Sequence, residues 1–282
     1  VVFAALGLTR HLFDAGPLLR SLAAFALFCG LSGAVYLLND VADVERDRLH
    51  PRKRLRPVAS GALGVRTAAV TAGLLGLLCL ALSTRLGLAF TGAAAAYLAL
   101  NLLYSFRLKE VVIVDVLSVS LGFVIRAVAG AVAISVRISE WLLICTVLFA
   151  LFLSLCKRRH ELTSLAEASL HRKSLGEYSP YLLDQMIAVV TASCVTAYAL
   201  YTTAAETREK YQTERLVWTL PFVLYGIFRY LYLVHRKEQG GSPTDVLLTD
   251  RPLLLAVALW AAAILAIVYT AAGPPVPLGP RP

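Results

Sequence analysis

The chain has 282 residues, 58% of them hydrophobic and 16% charged, with 27 Lys and Arg against 18 Asp and Glu. Soluble globular proteins run about 45–50% apolar and about 25% charged, so a mean hydropathy of +0.70 excludes a single aqueous domain and a disordered chain. What remains is an all-α, polytopic membrane protein.

A helix crosses the hydrocarbon layer with about 20 mostly apolar residues. The opening residues 1–8 lack a basic flank and a cleavage site, so they read as the tail of a truncated helix and not as a signal peptide. Eight apolar stretches follow, at 17–38, 63–83, 86–103, 111–136, 141–156, 181–203, 216–234 and 253–271. About nine transmembrane helices, forming one domain over residues 1–282, are therefore predicted. The links at 83–85 and 136–140 are short, whereas those at 39–62, 157–180 and 235–252 are long and charged. Alternation puts the long links on one side with the 104–110 link, and their excess of Lys and Arg makes that side cytoplasmic in an inner membrane. The basic balance thus belongs to a lipid bilayer and not to nucleic acid. Cys29, Cys79, Cys145, Cys156 and Cys194 stand singly in apolar runs and read as small hydrophobes.

The second helix ends in Asn39-Asp40-Val41-Ala42-Asp43-Val44-Glu45-Arg46-Asp47. On a continuing helix, steps of three and four keep Asp40, Asp43 and Asp47 on one face, with Asn39 at its margin. Like charges on one stripe repel unless a cation sits among them. Hard oxygens in this arrangement suit Mg2+, which is usually shared between one or two carboxylates and the phosphates of a substrate. The implied ligand is a diphosphate. A solvated helix extension with pairs such as Asp43 and Arg46 is the plainer alternative. It does not account for the shared face, nor for Arg52-Lys53-Arg54-Leu55-Arg56-Pro57 directly after it. A basic run beside a metal site holds phosphates; by itself it also serves as a topology signal or an anionic-lipid contact.

Further along, Asp115 and Arg126 lie inside the fifth predicted span. Eleven residues apart, they share a helix face, and charges at such depth normally face the bundle interior or a wet cavity. Asp250, before Arg251-Pro252, reads as the cap of the last helix.

The 39–57 segment, Tyr104-Ser-Phe-Arg-Leu-Lys109, Gly122-Phe-Val-Ile-Arg-Ala-Val-Ala-Gly130, Lys157-Arg-Arg-His-Glu-Leu162 and Leu248-Thr-Asp-Arg-Pro252 together resemble the UbiA superfamily of intramembrane prenyltransferases over essentially the whole chain. Within it they are similar to the branch that transfers phosphoribose. Most of that superfamily carries a second acidic motif after the sixth helix; here Lys157, Arg158, Arg159 and Glu161 stand instead, a set suited to an anionic phosphate.

The resemblance implies a UbiA-like bundle, a Mg2+ cofactor held by Asn39, Asp40, Asp43 and Asp47, and Asp40, Asp43 and Asp47 as the catalytic acids. It implies 5-phosphoribosyl 1-diphosphate as donor and a polyprenyl phosphate, decaprenyl phosphate in that branch, as acceptor. The product then feeds cell-wall arabinan synthesis. Lys53, Arg54 and Arg56 are expected at the donor phosphates, Tyr104 and Lys109 at the sugar or diphosphate, and Asp115 at a ribose hydroxyl. Lys157, Arg158 and Glu161 are expected at the acceptor phosphate. For Arg126, a structural pair and a place on the lipid phosphate's path stand side by side. A homo-oligomer is compatible with the sequence. Two rivals stay open: an aromatic prenyltransferase of the same fold with a prenyl diphosphate donor, and a transporter.

Overall fold

The computed structural model describes residues 1–49, 53–137, 139–164, 173–271 and Leu278; Arg52 of the basic run lies outside them. Among the described residues, eight helices are long and apolar enough to cross a bilayer. They are α1 (Ala15–Ala42), α2 (Val65–Ser83), α3 (Leu88–Phe106), α4 (Val114–Ala133), α5 (Glu140–Ser164), α6 (Pro180–Thr203), α7 (Leu220–Arg236) and α8 (Arg251–Thr270). A short helix of five residues, Ala4–Leu8, precedes them.

Large apolar side chains such as Leu74, Leu77, Val189 and Phe228 are exposed on the outer faces, as lipid-facing positions are, because hydrocarbon solvates them as well as protein does. The interior divides into two packed halves. Phe28, Leu31, Phe90 and Tyr97 fill the space between α1 and α3, and Phe152, Leu183, Ile187 and Tyr230 join α5, α6 and α7. Between the halves runs α4, half of whose apolar window is buried against a third or less in the other seven. Its buried Gly122, Ala127, Ala129, Gly130 and Ala131 permit that centrality, since small residues let helix backbones approach.

The closest approach is at Gly130, where a Cβ would stand 2.2 Å from the Val2 carbonyl oxygen. Gly130→Ala must therefore push the Ala4–Leu8 helix off α4. Overpacking of this kind costs about 1–3 kcal/mol, and thermal unfolding in detergent is expected to fall by several degrees. An unchanged Tm would mean that the contact contributes nothing.

At about 42 Å by helical rise, α1 exceeds the roughly 30 Å hydrocarbon layer. Its last turns therefore carry Asn39 and Asp40 into the interface. The same face receives the ends of α3, α5 and α7 and the starts of α2, α4, α6 and α8.

Asp250 caps α8, accepting from the Leu253 N–H at 2.9 Å. Arg229 of α7 grips the same carboxylate with two nitrogens, at 3.1 and 2.7 Å. The Arg229 hydrogen bonds hold the Asp250 carboxyl below its usual range, against an opposing effect of burial. A folded-state pKa below the unfolded one stabilises in full above the ordinary carboxylate value near pH 4, and that stability is lost as pH falls through the folded value. The Tm difference between wild type and Asp250→Asn is therefore expected at neutral pH and should shrink below about pH 4. A difference independent of pH would remove the charged pair from the explanation.

Candidate active site

The helix carrying the acids breaks at Asp43 and resumes as Val44–Leu49. Hydrogen bonds from the Asp43 N–H to the Asn39 carbonyl and from the Asp47 N–H to the Asp43 carbonyl bridge the break. Two of the three acids converge. Asp40 Oδ1 and Asp47 Oδ2 lie 2.8 and 2.9 Å from a single nitrogen, Nη1 of Arg56. Asp47 is almost wholly buried, with 4% of its side chain exposed.

Asp43 turns to a different cation, Lys109 Nζ at 2.6 Å, with Arg46 at 4.0 Å. The continuous acidic stripe expected from helical spacing is thus split into a converging pair and one flanking acid. Asn39 stays beside the pair, its side-chain oxygen against the Ser105 hydroxyl of α3. Among the described residues no three His, Cys, Asp or Glu side chains close on one point. Two carboxylates converging on a point taken by a cationic group are oxygen donors of the kind a hard divalent ion with water and phosphate as its other ligands could use, while the Asn39 side-chain oxygen is engaged by Ser105.

The basic residues distribute unevenly. Lys53 and Arg54 are exposed on the Lys53–Leu55 turn, and Arg56 reaches inward. Lys109 is buried on the Leu108–Glu110 turn, whose carbonyl at Lys109 accepts from Ser174 Oγ at 3.0 Å. Because α5 runs on past its apolar stretch to Ser164, Lys157, Arg158 and Glu161 are all helical. Lys157 points outward.

Arg158 is 5% exposed and pairs with Asp115 Oδ2 at 3.0 Å and with Glu161; the Tyr104 hydroxyl lies 3.5 Å away. Asp115 is fully buried at the start of α4. Its other oxygen accepts from the Tyr178 hydroxyl at 2.8 Å and from the Val116 N–H at 2.9 Å. Tyr104 and Arg158 thus meet in a buried ion-pair cell, where one guanidinium faces the carboxylates of Asp115 and Glu161, while Lys109 joins the acidic cluster. Arg126 joins neither and lies deeper, against Tyr97.

Sequence reasoning missed Tyr178. Burial pushes its phenol up, so it stays protonated and donates to Asp115. The same oxygen accepts from the Ile113 N–H at 2.7 Å. Ile113 has φ +68°, a left-handed backbone that is strained for a β-branched side chain and persists only where its surroundings enforce it. Ser105 and Ser174 were also unmarked. Their partners are 66 and 65 residues away, so no local pattern announces them.

Residues 1–244 match the model of the UbiA prenyltransferase family. Decaprenyl-phosphate phosphoribosyltransferase of Corynebacterium glutamicum is 34% identical over 274 residues, covering 92% of this chain and 78% of that protein. The protein of the same name from Mycobacterium tuberculosis is 37% identical over 248 residues, covering 87% and 80%. Among solved structures, a UbiA homolog from Archaeoglobus fulgidus bound to DMAPP and Mg2+ superposes with a TM-score of 0.73 at 18% identity, over 95% of this chain and 94% of that one.

Proposed function

We propose that this chain, which belongs to the UbiA prenyltransferase family, transfers the 5-phosphoribosyl group of 5-phosphoribosyl 1-diphosphate to a polyprenyl phosphate of the decaprenyl class, releasing diphosphate. The observation that carries this reading is Arg158, a buried guanidinium backed by Asp115, on the same face as the converging carboxylates Asp40 and Asp47. A metal-bound diphosphate and an anionic nucleophile need opposite surroundings. The converging carboxylates supply the first, and the Arg158 guanidinium, oriented by Asp115 and Glu161 and with Lys157 next to it on α5, supplies the donors for the second. The names of relatives at 34–37% identity agree with it.

On this reading Asp40 and Asp47 hold Mg2+, with Asn39 and Asp43 at their flanks. The ion, when bound, supplies neutralisation of the diphosphate charge. Arg56 exchanges its carboxylate partners for donor phosphate oxygens, and Lys53 and Arg54 add charge at the rim. Lys109, steadied by Asp43, and Tyr104 orient the diphosphate and sugar. Arg158 and Lys157 hold the acceptor phosphate, with Glu161 and Asp115 fixing the guanidinium. An ionised oxygen of that phosphate attacks the anomeric carbon as the carbon–oxygen bond to diphosphate breaks. Since the nucleophile is already charged near neutral pH, alignment and charge neutralisation do the catalytic work without a strongly shifted base. The site then opens to the cytoplasm from the inner membrane, in keeping with the basic links of that face, and the lipid product is a pentose donor for cell-wall arabinan synthesis.

Membranes containing the protein, supplied with donor labelled in the ribose and with decaprenyl phosphate, are expected to yield a labelled anionic lipid only when Mg2+ is present. Label passing from a prenyl diphosphate to an aromatic acceptor instead would replace this reading with that of an aromatic prenyltransferase. Metal-dependent flux without any transfer would replace it with transport.

A further inference from the structure

A second polar patch lies inside the bundle, about 10 Å deeper than the acids by the helical rise from Asn39 to Ser32. Arg126 Nη2 donates to the Tyr97 hydroxyl at 2.6 Å, and Tyr97 shares a 3.0 Å hydrogen bond with Ser32 of α1. The guanidinium also stacks over the rings of Tyr97 and Phe123, at 4.9 and 5.2 Å. Its Nε is buried without a hydrogen-bond partner, and among the described residues no carboxylate pairs with it. Phenol and ring faces leave the charge itself unneutralised, which is costly at this depth. An anion beside the fork would neutralise it.

The patch is connected to the acids. Tyr97, Asn101 and Ser105 recur every fourth residue on one face of α3, and Ser32 and Asn39, seven apart, share a face of α1. Asn101 Nδ2 donates to the Tyr97 carbonyl at 2.8 Å. The Ser105 hydroxyl sits between the Asn101 carbonyl and the Asn39 side-chain oxygen. A polar seam therefore runs from Asn39 to Arg126 beside the apolar packing of Phe28, Leu31 and Phe90.

We propose that Arg126, with Tyr97 and Ser32, seats the 5-phosphate of the donor, so that the phosphoribosyl group lies along the α1–α3 seam with its diphosphate at Asp40 and Asp47. This assignment rests on the phosphoribosyl-transfer reading above. The donor carries an anion at each end and hydroxyls between them, which matches a cation, a polar seam and a metal-binding acid pair in that order. A prenyl tail offers nothing to an arginine fork or to a row of amides and hydroxyls. Arg126 is thus a specificity determinant for a phosphorylated sugar, its planar donors suited to phosphate oxygens.

Ribose 5-phosphate and Mg-diphosphate, used as separate binding probes on the full chain in detergent, test it. Ribose 5-phosphate is expected to bind wild type and to compete with the donor. Arg126→Gln should weaken that binding by about tenfold or more, raise the donor KM to match, and leave Mg-diphosphate binding and the KM for decaprenyl phosphate unchanged. Arg126→Lys, which keeps the charge and loses the fork, should recover part of the affinity. Equal binding of ribose 5-phosphate by wild type and Arg126→Gln overturns the seat, and the transfer reading survives if wild type still makes labelled lipid. A raised KM for decaprenyl phosphate alone moves Arg126 to the acceptor and also overturns the seat. A wild type that neither transfers phosphoribose nor binds ribose 5-phosphate overturns both. If Arg126→Gln does not fold, Tyr97→Phe removes only the hydroxyl and supports the same comparison with a smaller loss.

Discussion

Asp47→Asn is expected to lower transfer by about two to three orders of magnitude in a protein that still folds. The side chain keeps its size and loses its charge where two carboxylates converge on one point. Arg56 retains Asp40 as a partner, so the loop carrying it stays anchored. On the proposed reading a cation held by two carboxylates is then held by one, and the Mg2+ concentration for half-maximal rate should rise together with the loss of kcat. Asp43→Ala should be nearly as severe for a different reason: it strips Lys109 of its 2.6 Å partner and frees the ammonium from its place. The measurement is initial rate against Mg2+ and donor for each variant, with size-exclusion profiles as the folding control. Transfer at the wild-type rate by either variant would remove that acid from the site.

The second large effect concerns stability. Asp115→Leu leaves Arg158 buried in the bundle without its 3.0 Å partner and leaves the Tyr178 hydroxyl without its acceptor. Breaking a buried ion pair from one side costs about 3–5 kcal/mol. The lower end is expected, because Glu161, a quarter exposed, remains beside the guanidinium. The double variant Asp115→Leu with Arg158→Met removes both charges, and replacing a buried pair by apolar groups is often neutral. Its Tm should return toward that of wild type while transfer stays lost, since on the proposed reading Arg158 is the cation that holds the acceptor phosphate. Recovery of transfer along with Tm would show that Arg158 serves the fold alone.

Hydrophobic runs located all eight long helices, because lipid demands an apolar stretch wherever a helix crosses it. Their ends were less legible. The 141–156 stretch stops at the first charges, yet α5 continues to Ser164: hydropathy marks where lipid ends, and backbone hydrogen bonding persists beyond it. The same extension is what makes Arg158 and Glu161 neighbours on a helix. At the other acidic segment the spacing argued for an unbroken helix, but the chain turns at Asp43, and cations from elsewhere, Arg56 and Lys109, sort the three acids into a pair and a single. Which cation meets which acid is set by contacts as much as 66 residues apart, beyond any local pattern. Asp115 and Arg126 share a face by their spacing, but only the packing of α3 and α5 gives them separate surroundings, one against Arg158 and Tyr178 and the other facing a neutral tyrosine. Asp250 is the opposite case, since a cap is a local matter and the residue order before Pro252 was enough to find it.

Phosphoribosyl transfer is tested most directly by mass spectrometry of the lipid after incubating the purified protein, in a bilayer with Mg2+, with decaprenyl phosphate and 5-phosphoribosyl 1-diphosphate. The lipid should gain the mass of one phosphoribosyl group, with one diphosphate released for each lipid modified and neither change in the presence of a chelator. Unmodified lipid, or diphosphate released with no change in the lipid, would contradict the account.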